Sequence, residues 1–446
     1  MSGNDHANLL FIVSIAWIVA SESLLIKPLD QPFDVTLHVP GSKSITNRAL
    51  LIAALASGTT TLRNVLFSED TRYMIEALEK LGIPISKDEQ DCMAVIEGRE
   101  GRIENPGGPI NVGNSGTCMR FLTTALVLGE GEFVLDGNER MRQRPIQDLI
   151  DGLHELGVEV ESIEGNGCPP IRIDALGLPG GITTIKGDVS SQYVSSALLS
   201  APYARSPMTV AVAGKLVSRP YVTMTTRMME EFGVEVRLAG EDRFEVPNDH
   251  PYAGREYFIE SDYTGASYFM AAAALTGSRI ELTHLPEDSL QGDAVFGYLL
   301  SQMGARVITT GTSVVVEGGE VLEGIEADMF DCSDLVPTVA VLGAFARGAT
   351  RIRNVENIRV KESDRIIAVA TELRKLGVSV EEYQDGLEVE GGCDLQGAEI
   401  DTYDDHRIAM AFSLAGLKTS GISINNPSCV SKTFPEYWSL FTKLQQ

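Results

Sequence analysis

Hydrophobic and polar positions along this chain follow one order of patterns six times over. Each copy opens on a polar stretch rich in Gly or Ser and enters an Ala/Leu-rich run. It then breaks at a small residue and resumes as a short alternating strand, a polar loop, a second helix and a further strand. The small turn residue recurs at Gly58, Gly131, Ser206, Gly277, Gly348 and Gly421. A fixed internal period of this kind constrains the architecture more than any single motif does. The runs at 49–56, 121–128 and 270–275 are apolar nearly all round, which predicts helices buried on every side. The stretches 71–81 and 364–376 carry charges at intervals, which predicts amphipathic outer helices. Strands such as 60–63 and 351–353 alternate, as a sheet with one wet face requires.

The expected architecture is α/β, with buried helices inside, sheets outside and three repeats to a domain. The sixth copy is cut short: a strand at 422–424, a loop at 425–435 and a helix from Glu436 run to the end of the chain. Its last strand is missing, and the apolar segment 24–28 is expected to supply it, so that one domain is built from both chain ends. The breaks between domains are expected near 39–41 and 258–261. The domain assignment is therefore 1–22 as an extension, 23–40 with 260–446 as a discontinuous domain, and 41–259 as the second.

The chain has 446 residues and a formal charge of −26. That length predicts two cores rather than one. The negative charge argues against nucleic acid or an anionic membrane as partner. Only 11 of the 36 basic residues are Lys, so a Lys in a polar loop is a candidate for function. Six scattered cysteines form no CxxC or CxxH pair, which argues against zinc and against a disulfide framework. Reduced thiols and a cytoplasmic setting are the expectation. Residues 9–20 are apolar but too short to span a bilayer, and no basic segment precedes them. They read as an upstream start-codon artefact in preference to a tail packing on the surface, with a cleaved signal as the minority reading.

Six polar helix starts are six candidate anion sites, because a helix N-terminus presents unpaired N–H groups and partial positive charge. GSKSITNR at 41–48 holds Lys43, Ser44 and Arg48. GNSGTCMR at 113–120 places Gly113 and Gly116 around Asn114 and Thr117, allowing close backbone approach to a ligand. GDVSSQ supplies Ser190, Ser191 and Gln192, whose hydroxyls suit phosphate oxygens. Taken alone, GSKSITNR reads better as a capped surface helix, GNSGTCMR about equally well as a plain N-cap turn, and Ser runs such as that of GDVSSQ are common at N-caps without a ligand.

The loops that follow are basic: Arg140, Arg142 and Arg144; then Ser218, Arg219 and Tyr221; then Arg359, Lys361 and Arg365. Arg140, Arg142 and Arg219 read singly as a solvated face. The recurrence of basic loops in an acidic chain argues for ligand binding by the set, since Arg grips carboxylate and phosphate bidentately. Asp334, Glu362 and His406 are candidates for proton transfer.

Taken together, PGSKSITNRALLIAALASG, GNSGTCMR, GDVSSQ, LVSRPY, NIRVKESDR, DDHRIAM and SKTFPEYW resemble, in order, the motifs of the 5-enolpyruvylshikimate-3-phosphate synthase family. The resemblance runs from about Ser23 to the C-terminus. It implies a two-domain inside-out α/β barrel of six βαβαββ repeats, three per domain, with the active site in the interdomain cleft. The implied reaction moves the enolpyruvyl group of phosphoenolpyruvate onto the 5-hydroxyl of shikimate 3-phosphate, on the route to chorismate and the aromatic amino acids. It also implies no cofactor or metal and a monomer.

Residue by residue, the resemblance puts shikimate 3-phosphate on Lys43, Ser44, Arg48, Ser190, Ser191, Gln192, Ser218, Tyr221, Asp334, Asn357 and Lys361. It puts phosphoenolpyruvate on Lys43, Asn114, Gly116, Thr117, Arg144, Gln192, Arg365, Arg407 and Lys432. It makes Glu362 and Asp334 the acid–base pair, with Lys43 assisting and His406 tuning Glu362. The small residue at Gly116 implies inhibition by glyphosate, while Phe121 departs from the Pro or Leu familiar at that place.

Two rival readings fit the sequence less well. UDP-N-acetylglucosamine enolpyruvyl transferases share the fold and donor but carry a loop cysteine, and GNERMRQRP at 137–145 has none. A non-catalytic repeat scaffold predicts degenerate polar loops, which this chain lacks.

Overall fold

The computed structural model describes residues 22–240 and 242–446. The apolar stretch at 9–20 lies outside the described residues. The chain divides into two compact units. A middle unit comprises Pro40–Glu260 with Leu290–Gly292, and a terminal unit comprises the described residues up to Val39 with Ser261–Ser289 and Asp293–Gln446.

The middle unit contains six helices, α1 (Lys43–Leu55), α2 (Glu69–Lys80), α3 (Gly116–Leu126), α4 (Gln147–Glu155), α5 (Ser191–Ser200) and α6 (Arg219–Glu231). Helices α1, α3 and α5 are buried along almost their whole length. This is the consequence of sequences with no polar stripe, which can satisfy the hydrophobic effect only inside. Helices α2, α4 and α6 bury one face.

Three four-stranded sheets surround this core with one shared order: a parallel pair, then two antiparallel neighbours. Ile110–Asn111 lies parallel to Glu130–Asp136, which pairs with Ile171–Leu176 and then Glu159–Ser162. Gly181–Lys186 likewise precedes Met208–Ala213, Arg243–Val246 and Arg237–Leu238.

The terminal unit repeats the plan. Helices α7 (Tyr263–Thr276), α9 (Val336–Phe345) and α11 (His406–Ala415) are buried, α8 (Phe296–Gln302) and α10 (Arg365–Lys375) each bury one side, and the short α12 (Tyr437–Phe441) is buried at all but Ser439. Its incomplete sheet has three strands, in which Ser23–Leu25 lies antiparallel to Ser423–Asn425. The N-terminal segment thus supplies a missing strand, a few residues earlier than the 24–28 expected.

Two strands exchange partners. Asp34–His38 directly precedes α1 in sequence, yet it lies parallel to Arg279–Thr283 in the terminal unit. Glu256–Phe258 precedes α7, yet it lies parallel to Thr59–Arg63 in the middle unit. The chain passes from one unit to the other right after each of these strands. Five of the six recurrent turn residues are Gly with positive φ, at Gly58, Gly131, Gly277, Gly348 and Gly421. That conformation is costly for any residue with a Cβ, which is why the period is written in glycine.

Candidate active site

In the middle unit the polar helix starts lie at the ends of buried helices, where the chain turns inward. Ser42 precedes α1 and is buried, and Lys43 reaches Asp70 on α2 at 3.5 Å. Asp70 is itself buried, and the contact holds the Lys43 side chain near the helix start. The backbone of α3 begins at Gly116. Arg144 donates to the Asn114 carbonyl (3.1 Å) and to Asn114 Oδ1 (3.2 Å). Gln192, one residue into α5, donates to Thr117 Oγ1 on α3 (3.2 Å). Ser190 caps α5 and accepts from the Gln192 amide, and Ser191 beside it is buried. Ser218 precedes α6 with φ near 52°, a left-handed conformation at a polar turn.

Gly116 is constrained by close approach. A Cβ at this position would lie 2.6 Å from Arg144 Nη2 and 2.9 Å from Arg120 Nη1. Only glycine lets both guanidinium groups sit against the first turn of α3.

Arg48 is turned inward. Its guanidinium donates to Thr225 Oγ1 (2.7 Å), the Ser44 carbonyl (2.9 Å), the Tyr221 carbonyl (3.1 Å) and Ser195 Oγ (3.4 Å). It also stacks over the Phe121 ring at 5.0 Å. Burial pushes its pKa down to about 10, and the nearby Tyr221 partly offsets this. Phe121 is therefore the aromatic face against which Arg48 rests, a role that aligning the motif alone did not disclose.

The basic residues read as a solvated face behave as surface ion pairs and hydrogen bonds. Arg142 pairs with Asp136 (2.6 Å), Arg140 donates to Gln143 (3.2 Å) and Arg219 pairs with Asp242.

The terminal unit gathers the titratable candidates into one network. Asp334 lies just before α9, Glu362 in the loop before α10, Arg365 at the first position of α10 and Arg407 at the second position of α11. Arg365 donates to Asp334 (2.9 Å), to Glu362 (2.9 Å) and to Asp405 (2.8 Å). Arg407 donates to the other Asp334 oxygen (2.6 Å), and Lys432 donates to the other Glu362 oxygen (2.6 Å). Three carboxylates and three cations thus alternate in a largely buried cluster. Burial by itself lowers the pKa of Arg365, but Asp405, Glu362 and Asp334 outweigh it and the net shift is upward. Asp334 is the most exposed of the six, at 20%.

His406 is fully buried at the start of α11, with Nδ1 3.7 Å from Asp405 Oδ1. Asn357 donates to Ser333 Oγ (3.4 Å), beside Asp334. Lys361 is half-buried in the same loop as Glu362.

Three acids escaped the sequence reading. Asp405 caps α11 by accepting from the Arg407 amide and holds Arg365 by two bonds. Its signal was visible as an Asp immediately before a helix. Asp70 and Asp293 carried no such signal. Asp293 accepts from Thr264, and burial, followed by the charge of Asp334, pushes its carboxyl up to about 7.

The arrangement can hold polyanions at helix starts and move protons at a carboxylate flanked by cations. The family model described as EPSP synthase (3-phosphoshikimate 1-carboxyvinyltransferase) matches residues 30–441. The chain is 46% identical over 424 residues to a 3-phosphoshikimate 1-carboxyvinyltransferase of Trichormus variabilis, covering 95% of this chain and 99% of that one. A relative of the same description from Vibrio cholerae is 43% identical over 430 residues, covering 95% and 100%. The solved EPSP synthase of Acinetobacter baumannii superposes with a TM-score of 0.80 at 28% identity, covering 95% of this chain and 98% of that one.

Proposed function

The chain belongs to the EPSP synthase family, and from that premise we propose that it transfers the enolpyruvyl group of phosphoenolpyruvate to the 5-hydroxyl of shikimate 3-phosphate, releasing phosphate. The observation that carries this reading is the alternating cluster of Asp334, Arg365, Glu362, Lys432 and Arg407. The reaction adds a proton to the methylene carbon of the donor while the acceptor hydroxyl loses one. Elimination then removes the methyl proton and expels phosphate. Such chemistry needs titratable groups held close to cations that bind the two anionic substrates. Glu362 and Asp334 take the proton-transfer roles, and Lys43 assists.

The middle unit offers the matching anion seats. Ser190, Ser191, Ser218 and Lys43 suit the shikimate phosphate, through hydroxyls and N–H groups at helix starts. Gln192, Ser44, Tyr221 and Arg48 belong to the acceptor set. Asn114, Gly116, Thr117 and Arg144 suit phosphoenolpyruvate, as do Arg365, Arg407 and Lys432. Asp334, Asn357 and Lys361 complete the acceptor contacts.

Among the described residues no helix is long and apolar enough to cross a membrane, and all six cysteines are free. We place the enzyme in the cytoplasm as a monomer in aromatic amino-acid biosynthesis. The family finding disfavours UDP-N-acetylglucosamine as acceptor.

The direct test is phosphate release from phosphoenolpyruvate with and without shikimate 3-phosphate. Release is expected only with the shikimate compound and is expected to vanish in Lys43→Met. Release with UDP-N-acetylglucosamine instead would move the chain to the rival activity.

Gly116→Ala gives a second test. Its methyl group must displace Arg144, so the KM for phosphoenolpyruvate is expected to rise on the order of 10²-fold. The wild-type enzyme is expected to be inhibited by glyphosate, and the alanine variant less so. Unchanged KM in Gly116→Ala would remove Arg144 from the donor site.

A further inference from the structure

We propose that His38 and His284 form a two-ligand site for a divalent transition-metal ion of the nickel or copper class. His38 ends the strand Asp34–His38, opposite Thr283 of the parallel neighbour, and His284 is the next residue along. The two Nδ1 atoms are 3.0 Å apart. The rings meet almost perpendicularly, with centroids 4.6 Å apart. Both side chains are exposed, so an ion reaches them without moving the core.

The backbone holds this juxtaposition from both sides. His284 has φ near 59°, a left-handed conformation that disfavours a residue with a Cβ. The Ser261 amide donates to the His284 carbonyl (3.0 Å), and Ser261 Oγ donates to the Val39 carbonyl, next to His38 (2.8 Å). The two imidazoles are therefore positioned by a sheet register and by a serine clamp.

The spacing selects the ion. Imidazole nitrogens bind such metals at about 2.0–2.1 Å. Two nitrogens 3.0 Å apart, each at that distance, subtend close to a right angle at the metal. That is the angle between neighbouring ligands in square-planar or octahedral coordination, the geometry of Cu(II) and Ni(II), and is tighter than a tetrahedral zinc site prefers. Water fills the other coordination positions. Binding requires both rings as Nε2–H tautomers, with each Nδ1 lone pair given to the metal. Neither histidine belongs to the substrate or proton-transfer set proposed above.

The probe is Ni2+ alone, titrated calorimetrically into the intact, metal-stripped chain at neutral pH. One site per chain is expected, weakened at least tenfold by His38→Gln and equally by His284→Gln. Gln retains polarity at these exposed positions, and unchanged circular dichroism confirms that each variant is folded. His6→Gln and His250→Gln are expected to leave the site intact. Nickel binding no tighter in wild type than in the His38→Gln/His284→Gln double variant would overturn the proposal. So would loss of binding in only one of the two single variants, or its loss in His6→Gln.

Discussion

Glu362→Gln is expected to lower kcat for phosphate release by about 10²- to 10⁴-fold, the range associated with loss of a positioned acid–base group. The substitution keeps the shape of the side chain and removes its charge and basicity. In the native cluster one Glu362 oxygen accepts from Lys432 (2.6 Å) and the other from Arg365 (2.9 Å). A glutamine amide cannot accept at both ends, so one cation faces an NH2 group whichever way the amide turns. Binding of shikimate 3-phosphate, measured separately by calorimetry, is expected to change by much less than kcat. A kcat within tenfold of wild type would remove Glu362 from the proton-transfer role. Glu362→Asp, which keeps the charge but shortens its reach, is expected to fall between the two.

The second large effect is on stability. Arg365 is 1% exposed and ties together Asp334, Glu362 and Asp405. Truncating it to alanine leaves three acidic side chains facing one another with only Arg407 and Lys432 to offset them. Breaking a buried ion pair by removing one partner costs about 3–5 kcal/mol, because the remaining charge stays desolvated and uncompensated. Arg365→Ala is therefore expected to destabilise the terminal unit by about that amount, read as a shift of the urea midpoint. Trp438 is buried in this unit and reports its unfolding by fluorescence in a Trp17→Phe background, since the chain has only two tryptophans. Arg365→Lys keeps the charge but loses the planar fork that reaches three carboxylates at once, and is expected to recover part of the loss. A destabilisation below 1 kcal/mol in Arg365→Ala would mean that the cluster relaxes or takes up water, and that its charges are not held as the geometry indicates.

Single members of the charged cluster were legible in the sequence, but their partners were not. Asp334, Glu362 and Arg365 stand out in the sequence as charges at helix starts and in loops, whereas Arg407 and Lys432 enter only through the family resemblance. Their pairing spans up to 73 positions, as in Arg407 with Asp334, and no local pattern encodes such a pairing. Asp405 was overlooked because an Asp before a helix is accounted for by capping alone; its two bonds to Arg365 exist only when α10 and α11 pack side by side. Asp70 sits on an amphipathic helix where charge is ordinary, and its burial beneath Lys43 is a tertiary fact. Arg48 shows the reverse case. Its motif marks it as a ligand contact, while the fold also makes it a buried hydrogen-bonding hub against Phe121.

The sequence by itself determined the repeat, the all-apolar inner helices, the glycine-marked turns and the polar helix starts. These follow from local periodicity and backbone sterics, which act within a few residues. Only the tertiary structure decided which short strand enters which sheet. Asp34–His38 and Glu256–Phe258 are brief segments with few buried positions to mark a partner. Each is committed 245 and 195 positions away, to Arg279–Thr283 and to Thr59–Arg63, where Arg279 meets Asp34 and Arg63 meets Glu256. A strand's edge hydrogen bonds are the same whatever its sequence, so the choice of partner rests on packing and on side-chain pairs that form only once both strands are in place.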